Sequence, residues 1–124
     1  MIFEQLFDDK SSTYTYIIAS GQGREALIID PVIENTKIYL NLLKELKLKL
    51  VKVVDTHIHA DHISGLNELS KNTNCIKIMG EQSESEVIDI KVKENDKINI
   101  ENIELTVIYT PGHTSCSYSF FSKD

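Results

Sequence analysis

Leu50-Val51-Lys52-Val53-Val54-Asp55-Thr56-His57-Ile58-His59-Ala60-Asp61-His62-Ile63-Ser64-Gly65 is the stretch on which the reading of this chain turns. Leu50 to Val54 is too apolar for a half-exposed strand and is expected to lie centrally in a sheet. Behind it come His57, His59 and His62, with Asp61 between the last two. A single loop histidine is usually just solvated. Several of them beside an aspartate, directly after a buried strand, are what a transition-metal site requires. In an extended loop His57 and His59 project to one side, so both can reach a single ion. If Asp61 and His62 begin the following helix, expected over about 63–69, they turn away and can serve a second ion nearby. His113 follows Pro111-Gly112 at the end of a separate strand. Alone it is equally well read as part of a turn; its value is as a ligand from a distant part of the chain.

Upstream, Ile2 to Phe7 and Thr13 to Ala19 read as strands, the second rich in β-branched and aromatic residues. Ser20-Gly21-Gln22-Gly23 is a turn, Ala26 to Ile29 a short apolar strand, and Asp30-Pro31 ends it. From Glu34 or Asn35 the period becomes helical, with Ile38, Leu42, Leu43 and Leu46 on one face, running to about Leu48. Downstream, the period returns to two. Strands are expected at Cys75 to Met79, Val87 to Ile90, Lys97 to Ile100, Ile103 to Tyr109 and Cys116 to Phe121, with turns at Glu94-Asn95-Asp96, Asn102 and Thr110 to Thr114. A βαβ-type start followed by meandering strands gives an α/β or α+β sandwich. With no linker or repeat, residues 1–124 read as one domain.

Composition narrows the function. Over 124 residues the formal charge is −6, with 41% hydrophobic and 26% charged residues, so a folded globular chain is expected. That charge, with Arg24 the only arginine, argues against nucleic acid as a partner. No run approaches the roughly 18 apolar residues of a membrane span, so no membrane partner is expected. The first residues lack the pattern of a secretory or import leader, and Cys75 and Cys116 suggest no disulfide framework, so a cytoplasmic location is expected.

Thr56 to Gly65 resembles the signature of the metallo-β-lactamase superfamily, and Thr110-Pro111-Gly112-His113-Thr114 resembles its second metal motif. Ile28-Ile29-Asp30-Pro31 is similar to that family's strand ending in Asp-Pro. The resemblance runs over essentially the whole chain. It implies an αββα sandwich of two similar halves, of which this chain matches the N-terminal half and looks truncated at its C-terminus. Within the superfamily, Phe3-Glu4-Gln5-Leu6-Phe7, Ser12 to Tyr16, Asp30-Pro31-Val32 and the His-Ala-Asp-His-Ile-Ser-Gly form of the motif look most like the persulfide dioxygenases. Those enzymes oxidise glutathione persulfide to sulfite with O2.

By that resemblance, His57 and His113 would be two corners of a 2-His-1-carboxylate Fe(II) site, one iron per site. His59, Asp61 and His62 would then be outer-shell groups. The alternative resemblance is to glyoxalase II, a hydroxyacylglutathione thioester hydrolase. It would put His57, His59 and His113 on one Zn2+-class ion and Asp61 and His62 on a second, with Asp61 as the catalytic orienter of a bridging hydroxide. The third metal carboxylate of either enzyme has no match in this chain. The 124-residue piece is therefore expected to be inactive alone, and to need a missing C-terminal half. A homodimer, or a non-catalytic half-domain acting as an interaction module, are the further alternatives. An uncovered apolar sheet face would follow from the missing half.

Tyr14 and Tyr16 read as packed strand aromatics rather than a pocket, and Cys116 as a buried strand thiol rather than a nucleophile. Ser64-Gly65 reads as helix-start packing rather than a phosphate turn. Lys91, Lys93 and Lys97, alternating with acids, read as a solvated edge.

Overall fold

The computed structural model describes residues 1–56, 60–81, 88–109 and 118–122, with the backbone alone at 60–64, 109 and 118–122. The elements are β1 (Ile2–Asp8), β2 (Thr13–Ala19), β3 (Glu25–Ile29), a 3-10 turn (Ile33–Asn35), α1 (Thr36–Glu45), β4 (Lys49–Val54), α2 (Ala60–Thr73), β5 (Ile76–Gly80), β6 (Ile90–Val92), β7 (Lys97–Ile100), β8 (Ile103–Tyr109) and β9 (Tyr118–Ser122).

A six-stranded sheet runs in the order β1-β2-β3-β4-β5-β6, and a three-stranded one in the order β7-β8-β9. β1, β2 and β3 pair antiparallel, whereas β3 through β6 pair parallel. β4 is thus central, as its continuous apolar run requires, and the parallel pairings of β3 with β4 and of β4 with β5 follow because α1 and α2 each carry the chain back between strands. The second sheet is an antiparallel meander; Asn102 in the turn between β7 and β8, and Asn95 in the loop that leads into β7, take positive φ, a conformation asparagine tolerates.

Strand alternation divides the apolar residues between two cores. Ile17, Ala19, Ala26, Ile28, Val53 and Met79 join Tyr39 and Leu43 of α1 and Leu66 and Leu69 of α2. Their neighbours Ile18, Leu27, Ile29, Val54 and Ile78 meet Ile98, Ile100, Ile103, Leu105 and Val107 of the second sheet. A layer of helices, a sheet and a second sheet result: a mixed α/β fold. β4 manages its assignment through a register shift: Ala26 pairs with Leu50 but Leu27 with Lys52, so Leu50 and Val53 both face the helices.

The structure corrects several element boundaries. α1 ends at Glu45, not near Leu48, because Lys47 adopts φ 57°. The Leu48 N–H donates to the Leu43 carbonyl and the Lys47 N–H to the Lys44 carbonyl, which closes the helix as a Schellman motif. Tyr39, at 1% exposure, occupies the buried stripe expected for Ile38, which is 49% exposed. α2 is longer than expected, and β6 falls at Ile90–Val92 rather than 87–90. β5 begins at Ile76, and the described part of the last strand begins at Tyr118. Among the described residues, no helix is long and apolar enough to cross a membrane. On β1 and β2, Phe3, Phe7 and Tyr14 are about half exposed, with Phe3 packed on Tyr16 and Phe7 on Tyr14. Lys91 and Lys93, on and beside edge strand β6, are exposed, as is Lys97.

Candidate metal centre

Three parallel strands end side by side: β3 runs into Asp30, β4 into Asp55 and Thr56, and β5 into Glu81. In open α/β sheets such carboxyl ends are where ligands bind. His57, His59 and His113 lie outside the described residues. Asp61 and His62 contribute described backbone only, and both fall in the first turn of α2. Of the two positions considered for that pair, loop or helix start, the structure takes the second. Cys116 and the turn at 110–114 also lie outside the described residues.

What the structure does describe is the frame around the histidine segment. Asp30 is 9% exposed and sits at φ 56°, a left-handed conformation in the residue before a proline. Both features are costly for a non-glycine residue, at about 1–2 kcal/mol for the left-handed backbone alone. The cost is offset by hydrogen bonds. The Thr56 N–H donates to Asp30 Oδ1 at 2.7 Å and the Thr56 hydroxyl to Oδ2 at 2.6 Å. The Asp30 N–H donates to the Val54 carbonyl at 2.8 Å. One carboxylate thus holds the backbone and side chain of the residue that immediately precedes His57.

The far end of the segment meets the same turn. A Cβ built on Gly65 would lie 2.7 Å from the Pro31 carbonyl oxygen and 3.3 Å from its carbon. Only glycine lets α2 come this close to the turn, which gives Gly65 a packing role, inside α2 rather than at the helix start expected. The two residues that flank positions 57–64 are thus both held at one turn, Thr56 on Asp30 and Gly65 on Pro31.

Beneath the turn lies a second polar layer that the sequence reading missed. Thr15 donates to the Asp30 carbonyl at 2.6 Å, Thr15 Oγ1 and Tyr39 Oη are 3.1 Å apart, and the Val32 N–H donates to Tyr39 Oη at 3.0 Å. Thr15 and Tyr39 are 2% and 1% exposed. A hint was present: Thr15 is a polar residue at the inward parity of β2, and Tyr39 lies four residues before Leu43 on the helix. The one buried thiol among the described residues, Cys75, lies away from this turn at the start of β5, and burial pushes its ionisation up.

By residue type the donors fit a metal: four imidazoles and a carboxylate suit Fe(II) or Zn2+. The buried two-point frame is the support that a ligand-bearing loop needs to hold its shape. Residues 8–124 match the model of the metallo-beta-lactamase superfamily. The chain is 38% identical to the mitochondrial persulfide dioxygenase ETHE1 of Mus musculus, over all of this chain and 49% of that protein. It is 30% identical to the hydroxyacylglutathione hydrolase of Marinomonas sp. (strain MWYL1), over 91% of this chain and 43% of that one. Among solved structures, ETHE1 from Myxococcus xanthus superposes with a TM-score of 0.92 at 39% identity, covering 100% of this chain and 55% of that chain. The chain spans about half the length of the curated relatives it matches. A match over residues 8–124 and a shared fold lead to one conclusion: the chain belongs to the metallo-β-lactamase superfamily.

Proposed function

We infer that the protein is a persulfide dioxygenase-like enzyme, in which a glutathione-type persulfide, O2 and water become the thiol, sulfite and two protons. The observation that carries this reading is likeness over the whole chain to persulfide dioxygenases, at 34–38% identity, against 26–35% over 79–91% of the chain for hydroxyacylglutathione hydrolases. In this reading His57 and His113 each lend an imidazole to a single Fe(II), and a carboxylate from outside residues 1–124 completes the triad. Iron held there would supply the redox chemistry that O2 and the persulfide sulfur need. The chain's own residues do the positioning. Asp30 fixes Thr56 and thereby the start of the ligand loop, and Gly65 on Pro31 sets how far α2, with Asp61 and His62 in its first turn, stands from that start.

A second reading, a dinuclear thioester hydrolase, rests on the five donors His57, His59, Asp61, His62 and His113 and on the hydrolase relatives. Metal content and turnover of the protein at the full length its gene encodes separate the two. About one iron per chain, with O2 uptake on adding glutathione persulfide, supports the dioxygenase. About two zinc-class ions, with cleavage of S-lactoylglutathione and no O2 uptake, overturns it in favour of the hydrolase.

A further inference from the structure

Two buried hydroxyls bridge the Asp30-Pro31-Val32 turn, and donor counting fixes the direction of every hydrogen bond. The Val32 N–H donates to Tyr39 Oη. Thr15 gives its single hydrogen to the Asp30 carbonyl. The Tyr39 hydroxyl must then donate to Thr15 Oγ1 across the 3.1 Å between them. The result is a one-way chain from the amide of Val32 to the carbonyl of Asp30, passing around Pro31, which has no N–H of its own. Each hydroxyl gives one hydrogen bond and accepts one. Both are buried, so water cannot take the place of either.

The relay underpins the frame. Val32, at 7% exposure, and Asp30 are the residues on either side of Pro31. Pro31 O is the surface on which Gly65 rests, and the Asp30 carboxylate is what holds Thr56. Any rotation of the turn moves both supports of the 57–64 segment at once. We propose that Tyr39 and Thr15 are positioning residues for the metal site, holding the ligand loop through the Asp30-Pro31-Val32 turn without touching the metal. This rests on the metal-binding part of the proposed function and on neither choice of substrate.

The test measures metal affinity rather than turnover. Co(II) is titrated, against a competing chelator, into the metal-free protein at the length its gene encodes, and into Tyr39→Phe, Thr15→Val and Thr15→Ser variants. Each is kept well below its unfolding midpoint. Tyr39→Phe and Thr15→Val remove the relay but keep the packing, and are expected to raise the Co(II) Kd about 10-fold and to alter its visible absorption bands. Thr15→Ser keeps the hydroxyl and is expected to bind as the parent does. Ile98→Val, a buried change in the other core, lowers stability without reaching the turn and should leave the Kd unchanged. Parental affinity in a folded Tyr39→Phe variant overturns the proposal, and should that variant fail to fold, Thr15→Val decides in the same way. A parent protein that binds no Co(II) sinks the metal reading itself, a result distinct from strong binding that the variants leave untouched.

Discussion

Gly65→Ala sets two effects of known sign against each other within α2. In a helix interior alanine is favoured over glycine by about 1 kcal/mol, so propensity alone predicts a more stable protein. Contact opposes it. The added Cβ would stand 2.7 Å from the Pro31 oxygen, with the Pro31 carbon at 3.3 Å and the Ile33 nitrogen at 3.4 Å. Carbon–oxygen contacts of the closest ordinary kind are about 3.3 Å, so the helix or the turn must yield by roughly 0.6 Å. The turn is poorly placed to yield, because Asp30 is tied to Thr56, Thr15 and Val54, and Val32 to Tyr39. Overpacking costs about 1–3 kcal/mol, and a clash with backbone atoms that cannot swing aside puts this one in the upper part of that range, about 2–3 kcal/mol. Subtracting the propensity gain leaves a net loss of about 1–2 kcal/mol, or about 5- to 30-fold in the folded-to-unfolded ratio. Urea unfolding of parent and variant, followed by circular dichroism, reads this directly as a lower midpoint at unchanged slope. A variant as stable as the parent, or more so, would refute the claim that the turn is a rigid stop for α2.

Three further outcomes can be checked independently. Lys47→Gly relieves the left-handed strain at the end of α1, and after allowing for the looser unfolded chain it should stabilise by about 0.5–1 kcal/mol; a lower urea midpoint would contradict the Schellman reading. Asp8 accepts hydrogen bonds from the Ser11 amide and hydroxyl and from Asn35, which hold its carboxyl below the usual range. Its stabilising effect should be complete well above pH about 3.9 and fade as the pH falls from there through the lower folded value, so the stability gap between parent and Asp8→Ala should close on acidification. Burial holds the Cys75 thiol protonated past its ordinary value, so iodoacetamide labelling mapped to the Cys75 peptide should be slow in the folded protein and fast in urea. Stability should also decline as the pH rises beyond about 8.5, where the unfolded chain ionises first; rapid native labelling would place the thiol at the surface.

The fold was legible wherever one residue period dominated. β2, β7 and β8 fall at the residues expected, because alternation and turn asparagines act locally. The errors arise where a distant partner decides. Ile38 and Tyr39 are adjacent, and periodicity ranks isoleucine as the better core residue. Tyr39 is buried instead because its hydroxyl has partners on β2 and on the turn after β3. Likewise α1 stops at a lysine in a conformation usually left to glycine, so no sequence signal marked its end. At the candidate site spacing singles out the histidines as candidates, whereas the contacts that flank them are not visible in the sequence. Thr56 and Asp30 are 26 residues apart, and only the parallel pairing of β3 with β4 brings them together.

That pairing also explains why the support has this chemistry. A parallel strand pair ends with both chains leaving in the same direction, so the residues after β3 and β4 compete for one space. Thr56 presents two donors there, its amide and its hydroxyl, both directed at Asp30. An ionised carboxylate accepts both without supplying a donor of its own, whereas an asparagine would turn its NH2 group towards one of them. To aim the carboxylate there, the Asp30 backbone takes φ 56° in front of Pro31, and its own carbonyl is left facing the helices. Thr15 satisfies that carbonyl from the helix side of the sheet, and Tyr39 in turn donates to Thr15. The strained turn, the buried hydroxyls and the glycine of α2 are thus consequences of one demand, that the segment bearing His57, His59, Asp61 and His62 begin and end at fixed points. A backbone strain kept in place by so many partners is the kind found where position matters to chemistry.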